Sequence, residues 1–467
     1  MAERVVPFVA TPNTRETGTG DERYINIVYE RIPNDLLKEH IVYCQKRVGY
    51  TLHASTSTSG AGRGLHGWTR TGNLYSVVGN SIFLGTSTLT SSMHTSTGKC
   101  WFVEIPQSTG NESLIISDGQ DNYSITSTGT VSTIDQATHT NYPVSNLGGI
   151  FYMDGYLFQG TRNGRIYNSR INSISSWPID GFLTADTHAG ELEAVYKQRD
   201  QIIGLTKNRT EFFFNNGNPS GSPLLRIDQN TIPVGIASKQ SLAWSGDTAC
   251  WVSENSGDGD AGRCVYTMQA LQRVKDISSP VINRFLAAEG QSISSCESWM
   301  ERVNGQVLYG LNLAAANRTF VYGVDTGLWS EWQSSVGAFR AVAATSLHGR
   351  TYFQDATNGN IYVASHSSYQ DSGSAITVRL QTRKYNFGTP EHKVNTTLTL
   401  VADQTVGTVS TYKSDDDYQT STQLPDIDMN SQLKDITRLG GFYERSYTFL
   451  YSGASTFRVQ GFVPGIK

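Results

Sequence analysis

Carboxylates crowd together at two places in this 467-residue chain, Asp258-Gly259-Asp260 and Asp415-Asp416-Asp417. The first lies in the polar stretch 255–262 and superficially resembles a calcium loop. It lacks the third acidic ligand and the closing glutamate that a calcium-binding loop uses to wrap the ion, so a solvated hairpin tip is expected there. Three adjacent acids usually mark an exposed loop, and 415–417 is read that way. The nine histidines never fall as His-x-His or His-Glu-x-x-His, the spacings that place two imidazoles on one metal. Five cysteines, Cys44, Cys100, Cys250, Cys264 and Cys296, are an odd number at wide intervals, unlike a disulfide framework or a zinc site. Reduced, partly buried thiols are expected, although Cys250 and Cys264 flank one predicted hairpin and could face each other. The chain has no Gly-x-Ser-x-Gly elbow and no Gly-x-x-x-x-Gly-Lys phosphate loop. Serine and threonine are so abundant that any Ser/His/Asp triad would be arbitrary. No catalytic, cofactor-binding or metal-ligating residue is therefore expected, and no cofactor.

The elements that would have to position such groups are short β-hairpins. Thr-Gly-Asn-Leu-Tyr at 71–75, Asn-Gly-Arg-Ile-Tyr at 163–167 and Asn-Gly-Asn-Ile-Tyr at 358–362 share one pattern, with Asn-Gly-Gln-Val-Leu-Tyr at 304–309 a looser copy. A glycine turn just before an aliphatic residue and a tyrosine is how a tight hairpin opens its second strand. Turn signals flanked by apolar runs recur at Gly79-Asn80, Asp118-Gly119, Asp154-Gly155, Lys207-Asn208, Gly246-Asp247, Asn304-Gly305 and His348-Gly349. Such spacing approaches the roughly 40–50 residues of a four-stranded propeller blade. Trp68, Trp177, Trp329 and Trp332 stand where rings would pack adjacent blades together.

The expected fold is all-β: a six- or seven-bladed β-propeller over 61–370, with an N-terminal segment and a C-terminal β-sandwich or barrel-like domain. In the N-terminal arm, 1–60, residues 24–29 read as a strand. Within 34–47, Asn34 as cap with Leu36, Leu37, Ile41 and Cys44 (or Val42) near helical spacing predicts a short helix. The stretch 55–64 is a low-complexity loop. A second short helix is predicted over 281–289, with Ser278-Ser279-Pro280 starting it and Gly290 stopping it. After the Ser/Asp/Gly run 366–374 the texture changes. Residues 375–380, 395–401, 443–451 and 456–463 read as strands of the separate domain at 371–467, interrupted by an acidic, polar stretch at 414–430.

Composition narrows the function classes. Charged residues make up 17% of the chain, against roughly 25% in ordinary globular domains. The formal net charge is −4 and no stretch concentrates Lys and Arg, which argues against a protein that reads nucleic-acid sequence. The opening residues have no apolar core of signal-peptide length, and no apolar run is long enough to span a membrane. Synthesis and assembly in the cytosol are expected. Some propellers hydrolyse glycans, and those of sialidases carry repeated Ser-x-Asp-x-Gly-x-Thr-Trp boxes. The nearest match, 324–329, occurs once and is one residue short between Gly327 and Trp329, so a turn followed by a packing tryptophan is expected. Glycoside hydrolysis also needs two carboxylates facing one bond, and no local pair announces itself. No hydrolase activity on host glycans is expected.

Asp200-Gln201-Ile202-Ile203-Gly204-Leu205, followed by Thr210-Glu211-Phe212-Phe213-Phe214 and Gly217, resembles the central signature of the packaged-DNA stabilisation proteins of short-tailed bacteriophages. There an Asp-x-Ile-Ile strand leads into a Thr-x-Glu-Phe/Tyr-Phe strand; here Glu211 follows Thr210 directly. Val234-Gly235-Ile236-Ala237 agrees too, as does Val265-Tyr266 followed by the segment 278–286. Tyr24-Ile25-Asn26-Ile27 and Arg47-Val48-Gly49-Tyr50-Thr51 resemble the family's opening Tyr-Ile-Asn and Arg-Pro-Gly-Leu-Thr elements, with Val48 in place of the proline. The C-terminal 95 or so residues carry no matching motif. The resemblance implies a structural virion protein, a tail hub or nozzle forming a ring, usually of six copies, under the portal–adaptor complex. Such a ring extends the DNA channel, helps retain packaged DNA and holds tail fibres or tailspikes, with a tail needle or plug as a further candidate partner. Six copies would carry about −24, an acidic tube that lets DNA pass without gripping it. Two other readings stay open: a glycan-binding or glycan-hydrolysing tail propeller, fibre- or spike-like, and a cellular propeller serving as a protein-interaction platform, which would show stronger blade repeats.

Overall fold

The computed structural model describes residues 5–8, 22–34, 39–56, 59–106, 112–185, 191–255, 262–271, 274–335 and 337–467. Its larger part is a propeller of seven antiparallel four-stranded blades. Their first strands are Gly62–Trp68, Trp101–Ile105, Asn146–Met153, Leu192–Gln198, Ala243–Ser245, Glu297–Val303 and Ala341–Leu347, and these pack against one another around the axis. Each of the seven turn signals falls in a different blade. At Asp154-Gly155 and Asn304-Gly305 both central residues have positive φ (51° and 88°, 49° and 86°). This is the primed turn whose twist matches the flanking strands, and it is why Asn/Asp-Gly stands there.

Blade seven closes the ring. Its first three strands are Ala341–Leu347, Arg350–Asp355 and Ile361–Ser365; the fourth, Gly49–Ala54, comes from the other end of the propeller sequence and pairs antiparallel with Ile361–Ser365. Alternate residues of neighbouring blades interdigitate, as the predicted tryptophans indicate. Trp68, Trp177 and Trp332 are buried, and the Trp329 indole donates to the Ile277 carbonyl at 2.6 Å. Where Trp299 lies over the second strand of blade six there is room only for glycine: a Cβ on Gly310 would sit 2.2 Å from the indole. The helix is Pro280–Glu289, capped by the Ser279 hydroxyl accepting from the Ile282 N–H and ended at Gly290.

The remaining strands form a two-sheet sandwich. One sheet orders Ile27–Asn34, Glu39–Lys46, Arg458–Ile466, Lys393–Ala402 and Asp435–Phe442, with Val6–Pro7 also paired to Arg458–Ile466. The other orders Arg23–Ile25, Val378–Gln381, Ser446–Tyr451, Thr408–Ser414 and Thr422–Gln423, with Ile427–Asp428 beside it. Phe8, Tyr24, Tyr29, Tyr447, Phe449 and Phe462 meet in its core, each buried aromatic contributing on the order of 1.5–3 kcal/mol. The N-terminal strands are thus part of the same core as the C-terminal ones. Arg23–Ile25 also runs parallel to the last strand of blade six, Leu328–Ser334, pairing at Ile25 and Glu331, so sandwich and propeller share a continuous sheet.

Two expectations are corrected. Among the described residues of 34–47 there is no helix: Asn34 ends one strand and Glu39–Lys46 is another, hydrogen-bonded to Ile27–Asn34 on one side and Arg458–Ile466 on the other. Ile41-Val42-Tyr43 suits a pleated surface, and pairing on both edges outweighs a local helical spacing; Leu36 and Leu37 lie outside the described residues. The polar stretch 414–430 is also less detached than its composition implies, because Leu424, Ile427 and Met429 are buried in the sandwich core.

Candidate functional site

The axis of a propeller is where its first strands converge, and here it is obstructed. The short 3-10 turn Lys239–Ser241 reaches across it. Lys239 Nζ donates to the Leu147 carbonyl of blade three at 2.7 Å, the Ser298 hydroxyl of blade six to the Gln240 carbonyl at 2.7 Å, and the Tyr309 hydroxyl to the Ser241 carbonyl at 2.8 Å. Lys99, beside blade two, donates to the carbonyls of Leu242 (3.2 Å) and Ser298 (3.0 Å). Burial lowers its ammonium to about 8. Trp101 and Trp244 stack across the same space at 5.4 Å. What remains is a cavity of about 330 Å³, the size of a small-molecule pocket and far too small for a nucleic-acid duplex.

A second convergence lies at the seam between propeller and sandwich, and it joins the two N-terminal motifs. Arg47 is buried with its guanidinium donating to Asn26 Oδ1 (3.0 Å), the Val48 carbonyl (3.1 Å), the Gln333 carbonyl (2.9 Å) and both oxygens of Asp371 (2.9 and 2.5 Å). It also lies over the rings of Tyr50, Trp332 and Phe339 at 5.1–5.7 Å. Asn26, at φ 60°, accepts from the Gln333 N–H as well and donates to the Thr377 carbonyl. Gly49 is required next to it, since a Cβ there would meet the Gln370 carbonyl oxygen at 2.1 Å. Two residues before Gln333 on the last strand of blade six, Glu331 is 3% exposed and accepts from Arg23, Arg318 and Gln333. Burial pushes its carboxyl up, but Arg318 and Arg23 more than reverse this and hold it below the usual glutamate range. Sequence reasoning did not find Asp371 or Glu331, whose partners Arg47 and Arg23 lie 324 and 308 residues away, nor Arg318, which meets Glu331 only through the pairing of adjacent strands.

The central motif at 200–217 is the second and third strands of blade four, Gln201–Thr206 and Thr210–Asn215. Its neighbour Val234-Gly235-Ile236 is bound to it through Thr210 Oγ1 to the Val234 carbonyl (2.6 Å) and Ile236 N–H to the Thr206 carbonyl (2.9 Å). Trp251 of blade five donates to the Gly235 carbonyl at 3.0 Å. These residues join adjacent blades; they hold the fold and bring no reactive groups together.

The other sequence candidates are dispersed. Residues 256–261, with Asp258 and Asp260, lie outside the described residues. Asp415 clasps the buried Arg445 through two bonds of 2.6 and 2.9 Å, Asp416 caps a turn at Thr420, and Asp417 pairs with Lys384. The box at 324–329 is the turn between the last two strands of blade six. Cys250 stands opposite Thr267 and Cys264 opposite Ser253, so the two thiols do not face each other. Among the described residues no group of three or more His, Cys, Asp or Glu is placed to hold a metal ion, and no helix is long and apolar enough to cross a membrane.

All five cysteines are free thiols. Burial pushes Cys100, Cys250 and Cys296 up to about 12 and raises Cys44 and Cys264 as well. Since the thiolate is the reactive form, iodoacetamide at pH 7.5 should label the native protein slowly and only at the half-buried Cys264. All five should react in denaturant. Rapid native labelling at Cys250 or Cys296, read by mass spectrometry, would contradict the packing between blades five and six.

Among solved structures, the chain resembles a streptogramin B lyase (12% identity, 67% of this chain and 95% of that one, TM-score 0.43). It resembles the WD40 β-propeller domain of Doa1 similarly (12%, 68% and 97%, 0.42), and the computationally designed Ika8 protein (11%, 67% and 99%, 0.40). No curated protein matches it. The profile of the phage stabilisation family, described as bacteriophage P22 Gp10, beta-propeller, matches residues 36–369. That span runs from the strand preceding Arg47 to the end of blade seven, and over it the chain belongs to this family of phage structural proteins.

Proposed function

We propose that this protein is a tail hub or nozzle subunit of the virion, present as a ring of six copies beneath the portal–adaptor complex. There it extends the DNA channel, retains packaged DNA and anchors tail fibres or tailspikes, with a tail needle or plug as a further partner. The family match over 36–369 carries this reading. The closed propeller axis supports one detail of it: DNA would run between subunits, along the outer surface of propeller or sandwich. A chain of net charge −4 suits that wall, which should pass a phosphate backbone without holding it. In this reading the propeller of 61–370, completed by the strand Gly49–Ala54, is the ring-building unit. The domain at 371–467, together with the N-terminal strands, offers a second surface for appendages. No catalytic step is assigned.

Ring formation costs each subunit its translational and rotational freedom, about 4–15 kcal/mol, which polar interfaces alone offset poorly. Light scattering should therefore find mostly monomer in isolation, and microscopy sixfold rings once a portal–adaptor complex is added. Particles lacking the protein should package DNA and then lose it. Mutant particles that keep their DNA would sink the hub assignment, whatever the ring count.

A further inference from the structure

A cavity of about 340 Å³ opens beside the seam, between the end of blade six, blade seven and the hairpin at 370–375. Its floor is aromatic. Tyr50 and Phe339 stack at 5.1 Å, with Tyr362 beside them on the wall and half-exposed. Its rim is polar, with serine and threonine hydroxyls from three separate segments, 334–335, 357 and 372–374. The charged groups at the wall are already engaged. Arg47 neutralises Asp371, Asp355 Oδ1 accepts from Thr357 and the Asn358 N–H, and Arg340 faces Glu297 at 3.6 Å.

These features select a ligand class. An anion would meet Asp355, and a cation would meet Arg340. A purely apolar side chain would strip water from the rim hydroxyls and return no hydrogen bonds, which is costly. A neutral pyranose meets both demands: its C–H face lies on an aromatic ring, and its hydroxyls exchange hydrogen bonds with rotatable serine and threonine hydroxyls. We propose that this cavity binds one or two neutral pyranose units of a polysaccharide. No hydrolysis is assigned to it, since both oxygens of Asp371 are taken up by the Arg47 guanidinium. The proposal concerns the isolated chain and is independent of the hub reading.

Saturation-transfer NMR on the full-length protein tests it. The probes are maltotriose, isomaltotriose, and neutral galactose- and rhamnose-containing oligosaccharides, with sialic acid and N-acetyltryptophanamide as the charged and the apolar comparison. At least one neutral oligosaccharide should take up saturation on its ring protons, and no reducing sugar should be released. Tyr362→Leu, which removes the stacking face and keeps the bulk, should weaken binding about tenfold. Ser335→Trp, from an exposed position at the mouth, should abolish it while the thermal melt stays unchanged. Failure of every neutral oligosaccharide to bind would overturn the proposal. So would binding that survives both substitutions, or saturation of the charged or aromatic probe alone.

Discussion

Arg47→Met should cost the protein about 3–5 kcal/mol, because it leaves Asp371 without its cation at the seam and removes the guanidinium donors from Asn26 Oδ1 and the Gln333 carbonyl. Against a total stability of roughly 5–15 kcal/mol for ordinary domains, that is enough to bring the seam near unfolding. The loss is local in origin and wide in effect. Arg47 stands between Glu39–Lys46 of the sandwich and the closing strand Gly49–Ala54, and Asp371 accepts from the Tyr50 N–H as well. Loosening it therefore frees the strand that completes blade seven. Amide hydrogen exchange at 49–54 and 361–365 should rise well before exchange in blades two to four, and the urea midpoint should fall. Arg47→Lys keeps the charge and loses the planar fork, so it should fall between wild type and Arg47→Met. An unchanged midpoint in Arg47→Met would mean that the ring is held shut elsewhere.

The sequence made the propeller legible because its evidence is local. A turn that needs positive φ and a two-residue connection writes Asn-Gly or Asp-Gly into adjacent positions, and seven such signals belong to seven different blades. The four similar motifs that open at 71, 163, 304 and 358 are less informative than they look. They join first and second strands in blades one and six, but second and third strands in blades three and seven. They record how hairpins are made and not where a blade begins. The helix at 280–289 was legible for the same local reason, since Ser279 and Gly290 bracket it. Closure was not legible. Nothing near Gly49 shows that its partner strand is Ile361–Ser365, and nothing near Arg47 points to Asp371, 324 residues away. The misread helix at 34–47 fails only partly on this ground: one strand partner is the neighbouring Ile27–Asn34, and the other is Arg458–Ile466 at the far end of the chain. The family's N-terminal elements were recognisable as patterns. Their physical meaning, that Asn26 and Arg47 bind each other, appears only once the fold brings them together.

Glu331→Gln should produce the second large effect, and its pH dependence separates a charge network from simple packing. Glu331 receives Arg23 Nε at 3.2 Å and Arg23 Nη2 at 2.7 Å, together with Arg318 and the Gln333 amide. The guanidinium of Arg379 is close enough to be influenced by both Arg23 and Glu331. Removing the one negative charge leaves these cations facing each other at the strand that joins sandwich to propeller, with an expected cost of about 3–5 kcal/mol. In the folded protein the Glu331 carboxyl titrates below the usual glutamate range. Its contribution is therefore fully present above the unfolded-state value and is lost as pH falls through the folded one. Wild type and Glu331→Gln should differ most near pH 7 and converge as pH falls through the folded-state value, below the usual glutamate range, where the wild-type carboxyl takes up the proton that the amide mimics. A gap that stayed constant from pH 7 to pH 3 would assign the loss to shape rather than charge. Arg23→Ala and Arg318→Ala, each combined with Glu331→Ala in double-mutant cycles, should then apportion the coupling between the arm and blade six. Because Arg23 belongs to the sandwich and Arg318 to the propeller, only the Arg23 cycle measures how firmly the two are joined.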